Sequence, residues 1–189
     1  MRYEFVEVFN DLIDCFLIAD IHLLKKYKEE KALQDDLAYE FQNNKSGDDA
    51  VQNGIIIPIA GVENYPYTII FTLSHEPPEL FRPENRLQHQ RSGYHLRVEN
   101  QRIQFFTWRI LQNLSEATVK QLLVRYQEPG KPQIEIANGN YDVEILAGEV
   151  LREDYYEPAF EIVLQPCKNF NMASKIDTSY LFTIDSDTY

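Results

Sequence analysis

Histidine and cysteine are the side chains of this chain best suited to metal binding or nucleophilic catalysis. The 189 residues contain four histidines, none with a second histidine or a cysteine at zinc-finger or HExxH spacing: His22, His75, His89 and His95. The string HEPPE resembles the start of a zincin motif, but Pro77 and Pro78 exclude the helix that would place two ligands on one face. We therefore expect no metal site.

Catalytic and cofactor motifs of other kinds are also absent from the sequence. No serine lies in a G-x-S-x-G elbow, and neither cysteine lies in a known nucleophile motif. The seven glycines form neither G-x-G-x-x-G nor a P-loop. A Ser-His-Asp or Cys-His triad assembled from distant positions stays an open alternative. The sequence predicts a protein that is not an enzyme and that binds no cofactor.

Acidic residues dominate the charge of the chain. Thirty Asp and Glu against 18 Lys and Arg give a net charge of −12, which opposes binding to nucleic acid or to an anionic membrane. Residues 82–109 depart from this average, since six arginines and two acids alternate there with aromatic residues, as on a face that binds single-stranded nucleic acid. The favoured alternative is an outer sheet face whose arginines pair with the chain's own acids.

A short stretch of the sequence, IEIANGNYDVEIL (residues 134–146), has the pattern of a β-hairpin. Two alternating runs flank an Asn-Gly pair, which favours a two-residue turn. In that hairpin Glu135 faces Asp142, and Glu144 lies two positions farther along the same face. The opposite face would line the core with five residues: Ile134, Ile136, Tyr141, Val143 and Ile145.

Carboxylates placed directly opposite each other destabilise a hairpin by up to about 1 kcal/mol. One interpretation is a solvated face that arginines and salt screen, or an edge guarded against aggregation. The other is an acidic surface kept for a basic partner. Residues 135–161 hold eight acids against Arg152 alone. The hypothesis assigns partner binding to seven of them: Glu135, Asp142, Glu144, Glu149, Glu153, Asp154 and Glu157.

Apolar spacing changes its period near Gly54. Before it, the apolar residues Phe5, Phe9, Leu12 and Phe16 recur at helical spacing, although FLIADI could equally be a short buried strand. Good helix formers over residues 25–44 add to the prediction of a partly helical region. Residues 43–54 have the composition of a surface loop. A second helix is predicted from Ser115 to Gln127, with Ser115 as its cap.

Short alternating runs after Gly54 predict strands. They cover residues 54–61, 66–74, 159–165 and 180–184, with two more strands in 93–111 joined near residues 99–101. The predicted fold is a mainly antiparallel β-sandwich of six to eight strands with one or two accessory helices. We expect one domain, residues 1–189, in which the partly helical residues 1–53 pack on a sandwich formed by residues 54–189.

The location of the protein is predicted from its N-terminal residues and its cysteines. The first twenty residues carry several acids before any apolar run, unlike a signal peptide, and no apolar stretch approaches the roughly 20 residues of a membrane span. Cys15 and Cys167 could pair, but two separate thiols in a reducing compartment are the favoured interpretation. We expect a cytoplasmic protein.

The order of these segments resembles the family of competence protein J, the inhibitor of a DNA-entry nuclease, and related sandwich immunity proteins of bacterial toxin systems. The strings that carry the resemblance span residues 16–146: FLIAD, GIIIPI, PYTIIFTLSHEPPE, SGYHLRVENQRI and IEIANGNYDVEIL. Residues 27–53 and the tail after Cys167 have no counterpart. The resemblance implies a stoichiometric inhibitor without chemistry of its own.

Three functions therefore follow as hypotheses. The first is an immunity-type protein that inhibits a basic protein toxin or nuclease, encoded by an adjacent gene, through its acidic surface. The second is a structural or adaptor β-sandwich module of a bacterial machine. The third is an enzyme or small-ligand binder that uses His75, His89 or His95 with nearby acids.

Overall fold

The chain folds into two β-sheets and a helical layer. A computed structural model describes residues 1–6, 15–73, 76–170 and 176–186. The strands are β1 (Arg2–Phe5), β2 (Cys15–Ala19), β3 (Ile57–Ala60), β4 (Thr68–Leu73), β5 (Arg86–Val98), β6 (Arg102–Thr107), β7 (Gln133–Glu135), β8 (Gly139–Arg152) and β9 (Tyr155–Cys167). One sheet has the order β1-β4-β9-β8-β5 and the other the order β3-β2-β6-β7.

The sheets are mainly antiparallel, as expected, but β4 pairs with β9 in parallel. Nine strands lie in the described residues, more than the six to eight predicted. Part of the difference is β1, a short edge strand that the helical spacing of Phe5 obscured. The predicted strand at residues 180–184 is absent, since only Leu181 forms a bridge there, to Ala60.

Both sheets contribute to one apolar core. The four-stranded sheet supplies Phe16 and Phe105, and the five-stranded sheet supplies Phe71 and Phe160. The Phe16 and Phe160 rings meet edge to face at 5.8 Å, and Phe71 meets Phe105 in the same way at 6.5 Å. This geometry is favourable for aromatic pairs beyond the apolar area that they bury. Alternation places these residues inward because every second side chain of a strand points to the same face.

Helices cover the other face of the four-stranded sheet. They are α1 (Ile21–Glu30), α2 (Leu37–Asn43), α3 (Ser46–Gln52) and α4 (Glu116–Arg125), with 3-10 helices at Glu79–Phe81 and Trp108–Asn113. Leu17 and Phe106 point from the sheet into this second core, where they meet Leu24 and Leu122. Helix α4 confirms the predicted helix, and Ser115 accepts from the Thr118 N–H as its cap.

The predicted single helix over residues 25–44 is wrong, because the chain breaks between α1 and α2. Ala32 adopts φ +52°, and Asp36 caps the second helix by accepting from the Tyr39 N–H. A side-chain acceptor at a helix start stabilises a new N-terminus, so the local chemistry favours two short helices. The predicted surface loop over residues 43–54 contains α3 instead.

The predicted Asn-Gly hairpin is also wrong, because its two arms belong to different sheets. β7 pairs with β6, which places Glu135 opposite Arg102. β8 pairs with β5 and β9, which places Asp142 between His95 and Gln165. The alternation was correct, since all five predicted core residues are buried. Alternation shows which face of a strand is apolar. It does not show to which of two sheets the strand belongs when both sheets face the same core.

The chain passes from one sheet to the other between β7 and β8, and it does so again nearby between β5 and β6. The Gln101 N–H donates to the Asn138 side chain at 2.7 Å, and the Ile136 N–H donates to the Gln101 carbonyl. Buried Asp20 accepts from the backbone N–H groups of Glu99 and Asn100 at 2.9 Å. The predicted turn near residues 99–101 is therefore a corner between sheets, and Asp20 fixes it.

The C-terminal segment from residue 176 to residue 186 packs along β5. His89 contacts the Tyr180 hydroxyl and the Thr183 carbonyl, both at 2.7 Å, and Gln88 exchanges two hydrogen bonds with the Asp185 backbone. Phe182 is buried in the core shared by the two sheets. His89 therefore anchors the tail, which distinguishes it from a ligand-binding histidine.

Candidate functional site

The seven acids predicted to bind a partner lie in several separate places. Glu135 is exposed on the edge strand β7, where Arg102 donates to it at 3.1 Å. Asp142 and Glu144 share the outer face of β8, as their spacing predicted. The Gln90 amide donates to Glu144 at 2.8 Å. The structure therefore separates Glu135 from the other two acids that the sequence analysis placed beside it.

Two of the seven acids are engaged inside the protein. Glu149 is only 1% exposed; Arg86 lies 3.2 Å from it, and the Ser186 hydroxyl donates at 2.8 Å. Glu157 accepts from the Thr68 hydroxyl at 3.0 Å and lies 3.4 Å from Arg152. Since their carboxylates satisfy internal donors, both residues stabilise the fold in this structure.

The remaining two acids, Glu153 and Asp154, form the turn between β8 and β9. Arg152 pairs with Tyr155 across the ladder, which leaves these two residues as the connection. Both side chains are exposed, and neither forms an ion pair with any residue of the described chain. Arg152, the neighbouring cation in the sequence, forms its ion pairs with Glu4 and Glu157 instead. The turn therefore presents two uncompensated negative charges.

An exposed aromatic ring accompanies these charges. Tyr155 is 48% exposed and directly follows Asp154, and its hydroxyl donates to Glu157 at 3.1 Å. The sequence analysis missed this residue, although the alternating runs on either side of Glu153-Asp154 are a hairpin signal. We call Glu153, Asp154 and Tyr155 the hairpin tip.

The hairpin tip lies at the end of a continuous two-stranded ladder. β8 and β9 pair without interruption from Asn140 opposite Cys167 to Arg152 opposite Tyr155. β5 flanks this ladder as far as Glu149 and β4 flanks it from Ala159, so the last three residue pairs before the turn extend beyond both neighbouring strands. The Leu151 N–H donates to the Asn85 side chain at 2.8 Å and ties this extension to the loop before β5. Glu153 adopts φ +44°, a left-handed conformation that costs an L-residue roughly 1–2 kcal/mol. The tip is thus a tight turn at the end of an uninterrupted ladder.

The arginines of residues 82–109 are mostly paired with the chain's own acids, as favoured from the sequence. Four of the six arginines form ion pairs with acids, which are Glu79, Glu149, Glu99 and Glu135. Arg91 stacks over the Tyr180 ring at 3.8 Å. Only Arg109 has neither kind of partner within the described residues.

One group of residues has the composition of a catalytic triad. Asp142 lies 3.4 Å from Nδ1 of His95, and its charge also acts on the thiol of Cys167. Burial, followed by the charge of Asp142, raises the pKa of the Cys167 thiol, whereas a nucleophilic cysteine needs a lowered one. His95 is buried against Phe170, with the two rings stacked at 4.7 Å. The carboxylate therefore lies between thiol and imidazole, the wrong order for activating the thiol.

The remaining predictions concern His75, the two cysteines, metal binding and membrane spans, and they can be compared only with the described residues. His75 lies outside them. Cys15 and Cys167 are not joined by a disulfide. No group of three or more His, Cys, Asp or Glu in these residues is arranged to hold a metal ion. Nor do these residues include a helix with the length and apolarity required to cross a membrane.

Comparisons with known proteins gave matches in structure alone. No protein-family model and no curated protein matches the sequence. ComJ from Bacillus subtilis, an inhibitor of the DNA-degrading activity of NucA, has a similar structure, with a TM-score of 0.44, 10% identity, and coverage of 88% of this chain and 96% of ComJ. The protein of crocagin biosynthetic gene J is similar at a TM-score of 0.48 and 10% identity, over 88% of this chain and 98% of that protein.

Proposed function

We propose that this chain is an inhibitor-type protein that binds a basic partner protein through its hairpin tip. The observation that carries the proposal is the pair of uncompensated carboxylates of Glu153 and Asp154 beside the exposed ring of Tyr155. The sequence resemblance to nuclease inhibitors and immunity proteins gives the class of partner, a basic nuclease or toxin encoded by an adjacent gene.

Electrostatic steering and a local aromatic anchor both act at the hairpin tip. Exposed charges that the protein does not neutralise attract a basic surface over about 10 Å at 0.1 M salt and raise the association rate. Tyrosine is enriched among interface residues that contribute most to affinity, since its ring buries apolar area while its hydroxyl keeps a hydrogen bond. A tight turn between paired strands also has less conformational entropy to lose on binding than an open loop does.

Asp142, Glu144 and Glu135 have a secondary role in this proposal. All three lie outside the apolar cores, and they extend the negative field over the face and edge of the protein. The proposal also takes the two sheets as a β-sandwich in a single domain of a bacterial cytoplasmic protein. The aromatic core that the two sheets share supports the sandwich arrangement.

Reversal of the tip charges tests the proposal. In Glu153→Lys/Asp154→Lys, we expect association with the purified product of the adjacent gene to slow at least tenfold at low salt, a change within the range that electrostatic steering produces. The rate should also lose most of its salt dependence. Stopped-flow fluorescence at several salt concentrations measures both quantities.

A matched control changes the same charge elsewhere. Glu30→Lys/Glu128→Lys alters two exposed acids that have no ion-pair partner among the described residues, one on α1 and one after α4. We expect this variant to associate at close to the wild-type rate. Equal slowing of both variants would show that only net charge matters, and an unchanged rate for the tip variant would contradict the proposed site.

A further inference from the structure

A groove of about 340 Å³ lies between α4 and the 3-10 helix Trp108–Asn113. Its floor is apolar, with Phe106 and Leu122 among its residues. Three cations line it: Arg109 on the 3-10 helix, Arg125 in the last turn of α4, and Lys131 in the loop before β7. None of the lining residues is acidic. We call this site the cationic groove.

The three cations differ from most cations of the described residues because they form no ion pair there. Within residues 1–6, 15–73, 76–170 and 176–186, none of Arg109, Arg125 and Lys131 forms an ion pair, whereas most other cations of these ranges do. The protein carries a net charge of −12, so acids are abundant. A cation near a helix C-terminus is stabilised by the helix dipole, which accounts for Arg125. It does not account for Arg109 or Lys131, which lie on other segments.

We propose that the cationic groove binds an extended peptide segment that carries two or three carboxylates, presented by a protein partner. The lining residues on α4 run from Thr118 to Arg125, which corresponds to about 10 Å along the helix axis. Three extended residues span about 10 Å as well. Arginine donates to a carboxylate through two parallel N–H groups, so two guanidinium groups can hold two acidic side chains in register.

The geometry favours carboxylates over phosphates or nucleic acid. Single-stranded nucleic acid needs exposed ring faces on which bases stack, but the groove aromatics Phe106 and Tyr126 are only 1% and 5% exposed. The Tyr126 hydroxyl is also occupied, since it donates to the Phe105 carbonyl at 2.6 Å. One end of the groove meets the C-terminus of α4, whose negative dipole end opposes a phosphate dianion more than a single carboxylate.

The cationic groove is independent of the proposed function. The hairpin tip is negative and belongs to the five-stranded sheet, whereas the groove is positive and lies in the helical layer over the four-stranded sheet. An acidic segment bound there contacts none of Glu153, Asp154 and Tyr155. Failure of one site therefore leaves the other untouched.

Binding of a labelled acidic peptide tests the groove. The probe is a fluorescein-labelled hexapeptide in which glutamate and leucine alternate, titrated with the full chain and followed by fluorescence anisotropy. We expect saturable binding that weakens at least tenfold in Arg109→Gln/Arg125→Gln/Lys131→Gln. The control Lys45→Gln/Lys120→Gln/Lys168→Gln removes the same charge from exposed lysines outside the groove, and we expect its affinity to stay within twofold of wild type.

Three further arms separate the ligand classes. The same peptide with glutamine in place of glutamate should bind at least tenfold more weakly, and neither inorganic phosphate nor a thymidine hexanucleotide should displace the acidic peptide at equal concentration. Circular dichroism melts establish that both triple variants fold. The proposal would be overturned if the wild type did not bind the acidic peptide, or if the groove variant bound it as tightly as the wild type does. It would also be overturned if the glutamine peptide bound as tightly as the glutamate peptide, or if phosphate or the hexanucleotide displaced the acidic peptide.

Discussion

Glu153 and Glu161 belong to one acidic stretch of the sequence but have opposite environments. Glu161 is fully buried, and it accepts hydrogen bonds from the Thr72 hydroxyl at 2.5 Å and from the Glu79 and Leu80 N–H groups at 2.8 Å. Glu153 is exposed in a turn and has no ion-pair partner in the described chain. The two acids differ because one faces donors that need an acceptor and the other faces water.

The buried carboxylate has a clear structural role. The N–H groups at the start of a helix lack internal acceptors, and Glu161 satisfies two of them at the 3-10 helix Glu79–Phe81. It thereby fixes this segment over the outer face of the five-stranded sheet, where Leu80 packs against Ile70 and Leu146. A count of negative charge along the sequence cannot separate such a residue from one that binds a partner.

The largest expected effect is the loss of the buried acceptor. Glu161→Ala leaves two backbone donors and one hydroxyl without their acceptor, so we expect the free energy of unfolding to fall by about 3–5 kcal/mol. Glu153→Ala removes no internal hydrogen bond that the structure describes and should stay within about 0.5 kcal/mol of wild type. Urea denaturation measures both variants. Equal losses would remove the contrast between the two acids.

A smaller effect is expected from relieving the tip backbone. Glu153→Gly keeps φ +44° without strain, but glycine also loses more backbone entropy on folding, so we expect a net gain of about 0.5 kcal/mol. The same change removes one of the two tip carboxylates and should slow association with the proposed basic partner. Stability from urea denaturation and association rate from stopped flow should thus move in opposite directions. A loss of stability would contradict the proposed strain.

The smallest expected effect concerns Asp142, whose half-exposed side chain is intermediate between buried Glu161 and exposed Glu153. Burial and, next, the charge of Asp142 raise the pKa of Cys167, so the thiolate is scarce at neutral pH. Asp142→Asn removes the charge, lowers that pKa and increases the thiolate fraction at any pH below it. We expect alkylation of Cys167 by iodoacetamide at pH 8 to become a few-fold faster, measured by peptide mass spectrometry. An unchanged rate would show that Asp142 does not act on the thiol.

Periodicity in the sequence was sufficient for the local elements with strong signals. The inward positions of Tyr141, Val143 and Ile145 on β8 and the cap at Ser115 were predicted correctly. These features depend on neighbours within a few residues, because strand alternation and helix capping are properties of the local backbone. The acidic character of residues 135–161 is likewise a property of composition alone.

Tertiary structure decided which sheet each strand joined and, with that, which acids are exposed and which are internal. Glu135 left the predicted face because β7 pairs with β6, and Glu149 became internal because β5 brings Arg86 to it. The unpaired cations of the cationic groove and the exposed ring of Tyr155 also depend on residues distant in sequence. Hydrogen bonds and ion pairs across such distances follow from the order of the strands in the sheets. Alternation of apolar and polar residues does not reveal that order, because a strand with one apolar face fits equally well in either of the two sheets that share the core.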